Sequence, residues 1–114
     1  MTECIFCRIA QGDIPAEIIH EDELALVFRD LRPQAPQHLL AIPRKHIATL
    51  EDLTESDTVI VGRLFQVARI AAEKVGIAAS GYRAILNNGR DAGQEVMHIH
   101  MHVLGGRRMT WPPG

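Results

Sequence analysis

The sequence predicts an α+β fold, an antiparallel sheet with one long helix laid across a face, and three observations predict it. Apolar residues recur at helical spacing over one long stretch. Four or five short aliphatic or aromatic runs are bounded by Pro, Gly or Asn. Two of these runs are joined by a link too short for a parallel crossover. With 114 residues, 46% of them hydrophobic, the chain can close one modest core, so a single domain over residues 1–114 is expected.

The elements follow in chain order. A short apolar turn at 4–10, ahead of Gln11-Gly12, reads as a small amino-terminal helix. Residues 18–20 are a weak strand candidate, while 24–29 and 39–43 are stronger ones, with Pro33 and Pro36 marking the loop between them. Over 54–75, Ile60, Leu64, Val67, Ala71 and Val75 fall on one helical face. Thr54-Glu55-Ser56-Asp57 reads as a capping box at its start and Gly76 as its stop. Strands at 82–87 and 96–104 come next. Their link, 88–95, contains Asn88-Gly89 and Gly93 and falls short of the roughly dozen residues a parallel crossover needs, so they pair antiparallel. The tail Trp111-Pro112-Pro113-Gly114 cannot extend a helix or a sheet and must pack or dangle.

Composition excludes several classes of function. A formal net charge of −2, with no cationic cluster longer than Pro43-Arg44-Lys45-His46, gives no field for gripping a nucleic-acid backbone, although a small anionic ligand remains open. No stretch approaches the roughly 20 apolar residues of a membrane span. Met1-Thr2-Glu3-Cys4 lacks the features of a signal peptide, so no membrane association and a cytoplasmic location are expected. In a reducing compartment the close pair Cys4 and Cys7 argues for a metal or a redox pair over a structural disulfide.

The chemistry concentrates in His98-Ile99-His100-Met101-His102. Side chains on a strand alternate, so the three histidines share one face, about 7 Å apart, and Ile99, Met101 and Val103 share the other. One face is core and the other carries chemistry. An imidazole is neutral and nucleophilic near pH 7, and crowding three together opposes charging of any one. Such a strand supplies an in-line nucleophile and hydrogen-bond donors for a phosphoryl group. Metal binding by all three imidazoles is the rival reading.

The run 98–104 resembles the pattern His-φ-His-φ-His-φ-φ, with φ apolar, of the histidine triad (HIT) superfamily. The resemblance extends nearly end to end, through Ile14-Pro15-Ala16, Phe28-Arg29-Asp30, Pro33-Gln34-Ala35-Pro36, His38, Ile42-Pro43-Arg44-Lys45-His46, Gly81-Tyr82-Arg83, Gly93-Gln94 and Gly105-Gly106-Arg107. With the tail, these landmarks are similar to the histidine triad nucleotide-binding branch, the purine nucleoside phosphoramidases. The resemblance implies a HIT-like fold, a five-stranded antiparallel sheet with one long helix and a short N-terminal helix. It implies that His100 attacks the α-phosphorus of a purine nucleotide to give a nucleotidyl-histidine, which water hydrolyses to a nucleoside monophosphate. His102 is expected to hold a phosphate oxygen, and His38 to sit against the catalytic histidine and fix its position.

The same resemblance distributes further roles. Asn87 and Gln94 become phosphate contacts, Gly93 allows close backbone approach, and the backbone of Glu95 and Val96 contributes amides; from the residues alone, this loop is an ordinary hairpin. Glu95 departs from members with serine there, which places a carboxylate where the leaving group is protonated. Asp30 is expected to bind the ribose hydroxyls, where residue type alone also fits a turn former. Phe6, Phe28, Arg29 and Leu31 line the base and sugar pocket. Some members bind structural zinc through a Cys-x-x-Cys, here Cys4 and Cys7, with the equivalents of His46 and His98; two cysteines by themselves do not close a tetrahedral site. Related proteins form a homodimer through the long helix and the strand at 82–87, the tail 105–114 reaching toward the partner's site. A dinucleoside polyphosphate hydrolase and a nucleotide-binding regulator with incidental hydrolysis are the competing functions.

Overall fold

A computed structural model describes residues 3–114; Met1 and Thr2, part of the segment read as lacking a signal peptide, lie outside it. Helix α1 (Ile5–Ala10) is short and starts at Cys4, whose sulfur accepts the amide of Cys7 at 3.4 Å. Strands β1 (Ile18–Glu21), β2 (Ala25–Arg29) and β3 (Gln37–Pro43) follow, then helix α2 (Thr58–Lys74), β4 (Tyr82–Leu86) and β5 (Met101–Gly105). The five strands form one sheet in the order β1-β2-β3-β5-β4, with every neighbouring pair antiparallel. The expected α+β architecture, a five-stranded antiparallel sheet with one long helix and a short N-terminal helix, is the one observed, including the weak first strand. Among the described residues no helix is long and apolar enough to cross a membrane.

The period-two alternation divides the sheet's two faces. Val27, Leu39, Ala41, Met101 and Val103 point to one side and pack against Leu64, Val67, Ala68, Ala71 and Ala72 of α2. Leu26, Phe28, Leu40 and Ile42 point to the other, where Phe6 of α1 covers them. Burying a Leu or Phe side chain in such a layer contributes about 1.5–3 kcal/mol, so the two clusters fix the strand register as well as stabilising it.

Two element starts differ from the sequence reading by more than two residues. The box at 54–57 opens a short 3-10 turn (Glu55–Asp57), and α2 begins only at Thr58. The Asp57 carboxylate accepts the Thr54 amide at 2.9 Å and pairs with the Lys45 ammonium at 2.6 Å, a tertiary tie that tightens this turn. The helix stops as expected: Gly76 takes a φ of +80°, and the Ile77 amide reaches back to the Ala72 carbonyl at 3.0 Å. The last strand, expected over 96–104, is regular only from Met101. In the β3–β5 register, Ala41 faces Met101. Continuing the ladder would place Pro43, which has no amide hydrogen, opposite Ile99. The carbonyl of Pro43 is taken instead by the ring of His98 at 2.8 Å. Alternation nevertheless persists through the irregular stretch, with Ile99 in the core under α2.

Candidate functional site

The middle histidine is held in one tautomer. Nδ1 of His100 lies 2.8 Å from the carbonyl oxygen of His98, which can only accept, so Nδ1 carries the hydrogen and Nε2 keeps its lone pair. The residue is buried, with the ring of Phe6 edge-on to it at 5.0 Å between centroids. His100 lies between the bend at 96–98 and the start of β5 at Met101, outside the regular ladder, and so can bond to a carbonyl two residues back.

The third histidine takes its tautomer from β3. The Gln34 amide donates to Nδ1 of His38 at 3.0 Å, so Nε2 of His38 carries the proton and donates to Nδ1 of His102 at 2.8 Å. His102 is thereby left with Nε2–H as a donor. Burial, more than the neighbouring imidazoles of His100 and His38, pushes the pKa of His102 down to about 4. Burial also lowers that of His38, against the opposing pull of the Asp30 carboxylate, whose Oδ2 is 3.4 Å from Nε2. His38, expected against His100, thus meets His102 instead. The register explains this: Leu40 faces His102 and His38 faces Leu104, so the His38 ring reaches His102 diagonally.

The first histidine is turned away from the other two. His98 is fully buried and gives Nε2–H to the Pro43 carbonyl, which directs the Nδ1 lone pair at the cysteines. Nδ1 lies 3.3 Å from Cys4 Sγ, 3.5 Å from Cys7 Sγ and 3.2 Å from His46 Nδ1, and His46 Nδ1 is 3.3 Å from Cys7 Sγ. Bond lengths of about 2.3 Å to sulfur and 2.0–2.1 Å to nitrogen give tetrahedral edges of roughly 3.3–3.8 Å, so these four donors, all within 4.8 Å of one another, fit a zinc ion. The His98 bond to a backbone carbonyl is the usual outer support of a metal-bound imidazole. Burial lowers the pKa of His98, keeping the ring in its ligating, neutral form.

A family model for the HIT domain matches residues 11–109. The chain belongs to the HIT domain family. A HIT-like protein of Synechococcus elongatus is 44% identical over 112 residues, covering 98% of this chain and 97% of that protein. Among solved structures, a HIT family hydrolase from Legionella pneumophila Philadelphia 1 is 52% identical with a TM-score of 0.94, covering 98% of this chain and all (100%) of that one. A Zn-bound histidine triad family protein from Mycobacterium smegmatis is 37% identical with a TM-score of 0.77, over 92% of this chain and 76% of that one.

Around the triad of this HIT domain the structure brings most of the expected residues together. A cavity of about 410 Å³ is bordered by His100, His102, His38, Asp30, Phe6, Asn87, Gly93, Glu95 and Val96. A second, of about 380 Å³, shares Phe6, Asp30, Glu95 and Val96 and adds Phe28, Arg29, Leu31 and apolar residues of α1. Leu31 is 93% exposed at its rim. The Arg29 guanidinium is bound to Glu17 at 2.7 Å and to Gln37, so it walls the pocket with its stem. Asp30 is both turn former and wall: Oδ1 takes the Arg32 amide at 2.8 Å, and Oδ2 faces His38.

Gln94 departs from expectation. Its amide donates to the carbonyls of Ala48 at 2.7 Å and Val96 at 3.1 Å and accepts from Gly89 at 2.9 Å, so its side chain ties the loop together and does not border the cavity. Arg32, Gln34 and Leu40 border it and were not singled out from the sequence. Gln34 lay inside the Pro33-to-Pro36 landmark, but no residue-type signal marks a backbone amide as the anchor of a tautomer. That loop is pinned in turn by Arg107, which donates to the Gln34 carbonyl at 3.1 Å, and by Gly106, where a Cβ would come within 2.8 Å of Pro36.

The tail borders a cavity of about 650 Å³ that shares Gln34, His38, Asn87 and His102 with the triad cavity and is lined also by Arg83, Trp111, Pro113 and Gly114. Arg83 holds it by donating to the Thr110 carbonyl at 3.0 Å. The tail therefore lies beside the histidines of its own chain, and Trp111 is 81% exposed.

Proposed function

We propose that this HIT protein is a hydrolase of purine nucleoside phosphoramidates or related adenylylated compounds, acting at the α-phosphorus through a nucleotidyl-histidine. The observation that carries this is the tautomer of His100: Nδ1–H is fixed on the His98 carbonyl, which leaves Nε2 as the nucleophilic atom at a walled cavity. The existence of a HIT family hydrolase at 52% identity supports hydrolysis as the reaction class.

In the first step the Nε2 lone pair bonds to phosphorus, the bond to the leaving nitrogen breaks, and the leaving group takes the electron pair and a proton. Glu95 stands at the cavity to relay that proton from solvent water to the leaving nitrogen. The positive charge that develops on the imidazole is stabilised at Nδ1–H by the carbonyl, which needs no reorganisation. His102 stays neutral at ordinary pH and offers Nε2–H to a non-bridging phosphate oxygen, oriented by His38. In the second step water attacks phosphorus, the bond to His100 breaks, and a nucleoside monophosphate leaves. Asp30 receives the ribose, while Phe6, Phe28, Arg29 and Leu31 wall the base; Asn87, Gly93 and the backbone at Glu95 and Val96 stand at the phosphate. Gln94 supports this wall from behind.

Zinc held by Cys4, Cys7, His46 and His98 is proposed as a structural ion, supported by the donor geometry and by the Zn-bound relative. It supplies cross-linking of α1 to the segments around β3 and β5 and no chemistry at phosphorus. A homodimer is also proposed. β4 is a sheet edge, and Val59 and Phe65 of α2 are 71% and 56% exposed, so two copies pairing there join two sheets of five strands into one of ten.

The functional test compares an adenosine phosphoramidate with a dinucleoside polyphosphate under the same conditions. A kcat/KM at least tenfold higher for the phosphoramidate, with a burst of amine, supports the reading. The reverse order places the chain with dinucleoside polyphosphate hydrolases, and nucleotide binding without turnover of either makes it a regulator.

A further inference from the structure

The metal ligands and the nucleophile's pocket meet at one side chain. Phe6 lies between Cys4 and Cys7 in sequence. Its ring packs edge-on against His98 at 5.9 Å, His100 at 5.0 Å and Phe28 at 5.6 Å between centroids. Cys4 is only partly buried, and a cavity of about 420 Å³ bordered by Cys4, His46, Glu95 and Met97 opens beside it. Glu95 and Val96 border this cavity and that of His100 as well. A small oxidant therefore reaches a sulfur without unfolding the chain, next door to the nucleotide pocket.

We propose that Cys4 and Cys7 are a redox modification site, closed to a disulfide by a small peroxide, and that closure ejects zinc and withdraws Phe6 from the nucleotide pocket. The metal and nucleotide parts rest on the readings given above; the disulfide and the Phe6 contact rest on the chain's own geometry. The Cys4 thiolate attacks one peroxide oxygen, the O–O bond breaks, and the departing hydroxide takes a proton to become water. The Cys7 thiolate then attacks the Cys4 sulfenic sulfur, forming the S–S bond and expelling a second hydroxide, which is also protonated to water. The two sulfurs lose two electrons in all and the two peroxide oxygens gain them. A disulfide carries no thiolate charge, so two imidazoles alone remain for Zn2+, which dissociates.

The ligand atoms of the cluster already lie within 4.8 Å of one another, so bringing the sulfurs to the roughly 2.05 Å of a disulfide requires movement confined to the first turn of α1. Phe6 is in that turn, and Arg8 bonds back to the Cys4 carbonyl at 3.1 Å, so the contraction is passed to the ring. The nucleophile's wall is thereby displaced while β3 and β5 stay in place.

The experiment exposes the purified, metal-bearing protein to increasing hydrogen peroxide and follows four signals. These are zinc released to a chromogenic chelator, the Cys4–Cys7 disulfide by peptide mass spectrometry, the His100 ring resonances by NMR, and AMP affinity by calorimetry. Expected are one zinc per disulfide, a shift of the His100 resonances, and AMP affinity weaker by about tenfold, all reversed by dithiothreitol with zinc. In Phe6→Leu the disulfide still forms, but oxidation no longer changes AMP affinity. A disulfide that leaves both the His100 resonances and AMP affinity unchanged overturns the coupling, and sulfinic acids without a disulfide overturn the site. Disulfide and resonance shift in a protein that never held zinc uphold the redox pair and remove the metal from it. Failure of the reduced protein to bind AMP counts against the nucleotide reading alone, since the other three signals still decide the redox site.

Discussion

His98 and His100 are joined by a single hydrogen bond, from the ring of one to the backbone of the other, and that bond separates their functions. Nδ1–H of His100 rests on the His98 carbonyl at 2.8 Å, while the ring of His98 gives its own hydrogen to Pro43 and turns its free nitrogen to the cysteines. One imidazole is thus aimed at the two cysteines and the next at the cavity, although they are only two residues apart. The first prediction follows from this division. His100→Ala removes turnover but leaves nucleotide affinity within about tenfold, because the nucleophile is lost and the walls remain. Calorimetry with AMP beside a turnover assay checks it, and substantial residual turnover counts against the role given to His100.

The second prediction concerns pH. The folded pKa of His102 is about 4, below the roughly 6.5 of an unfolded chain. Between those values the unfolded state binds more protons, so stability rises with pH across the window. The penalty is absent above about pH 7 and grows as pH falls through 6.5 toward 4. His38, also lowered, adds in the same direction. Melting temperature should fall steadily from pH 7 to pH 4.5, and His102→Asn should flatten part of that slope. An unchanged slope in the variant would show that His102 is not held neutral by the fold.

A third prediction is that protein purified without added metal carries about one zinc per chain, and that Cys4→Ser loses it together with thermal stability. Elemental analysis and melting with and without a strong chelator decide this. Zinc-free protein whose melting is indifferent to chelation leaves the cysteines as packing residues.

Assembly supplies a fourth prediction. The protein should sediment as a dimer at micromolar concentration, and Phe65→Glu should shift it toward monomer by placing a charge on the face proposed to pair. Deleting residues 111–114 should keep the dimer but change the ranking of leaving groups, since Trp111, Pro113 and Gly114 line a cavity together with His102. A truncated form with every substrate preference intact removes the tail from specificity.

Much of this arrangement was legible in the residues. Alternation at 98–103 separates Ile99, Met101 and Val103 from the three histidines, and the helical spacing from Ile60 to Val75 marks the layer that covers the apolar side. The Cys-x-x-Cys pair flagged a metal or redox site, and the family resemblance named its partners. What stayed hidden depends on pairing between distant segments. The late start of β5 comes from Pro43 on another strand, and the partner of His38 comes from strand register. The side chain of Gln94 looks like a phosphate contact in sequence, yet loop closure on Ala48 and Gly89 engages both ends of its amide. The tautomers of His38 and His100 rest on a backbone amide and a backbone carbonyl, groups that every residue carries and no motif can flag.

The central claim is that Nε2 of His100 forms a bond to phosphorus, and rapid quenching tests it most directly. Mixing the protein with an adenosine phosphoramidate labelled at the α-phosphorus and quenching within the first turnover should trap a nucleotidyl adduct whose mass maps to His100. The adduct should form at the rate of the amine burst, decay at the steady-state rate and be missing from His100→Ala. Turnover with label on Glu95, or with no covalent label at any time during the first turnover, would contradict it.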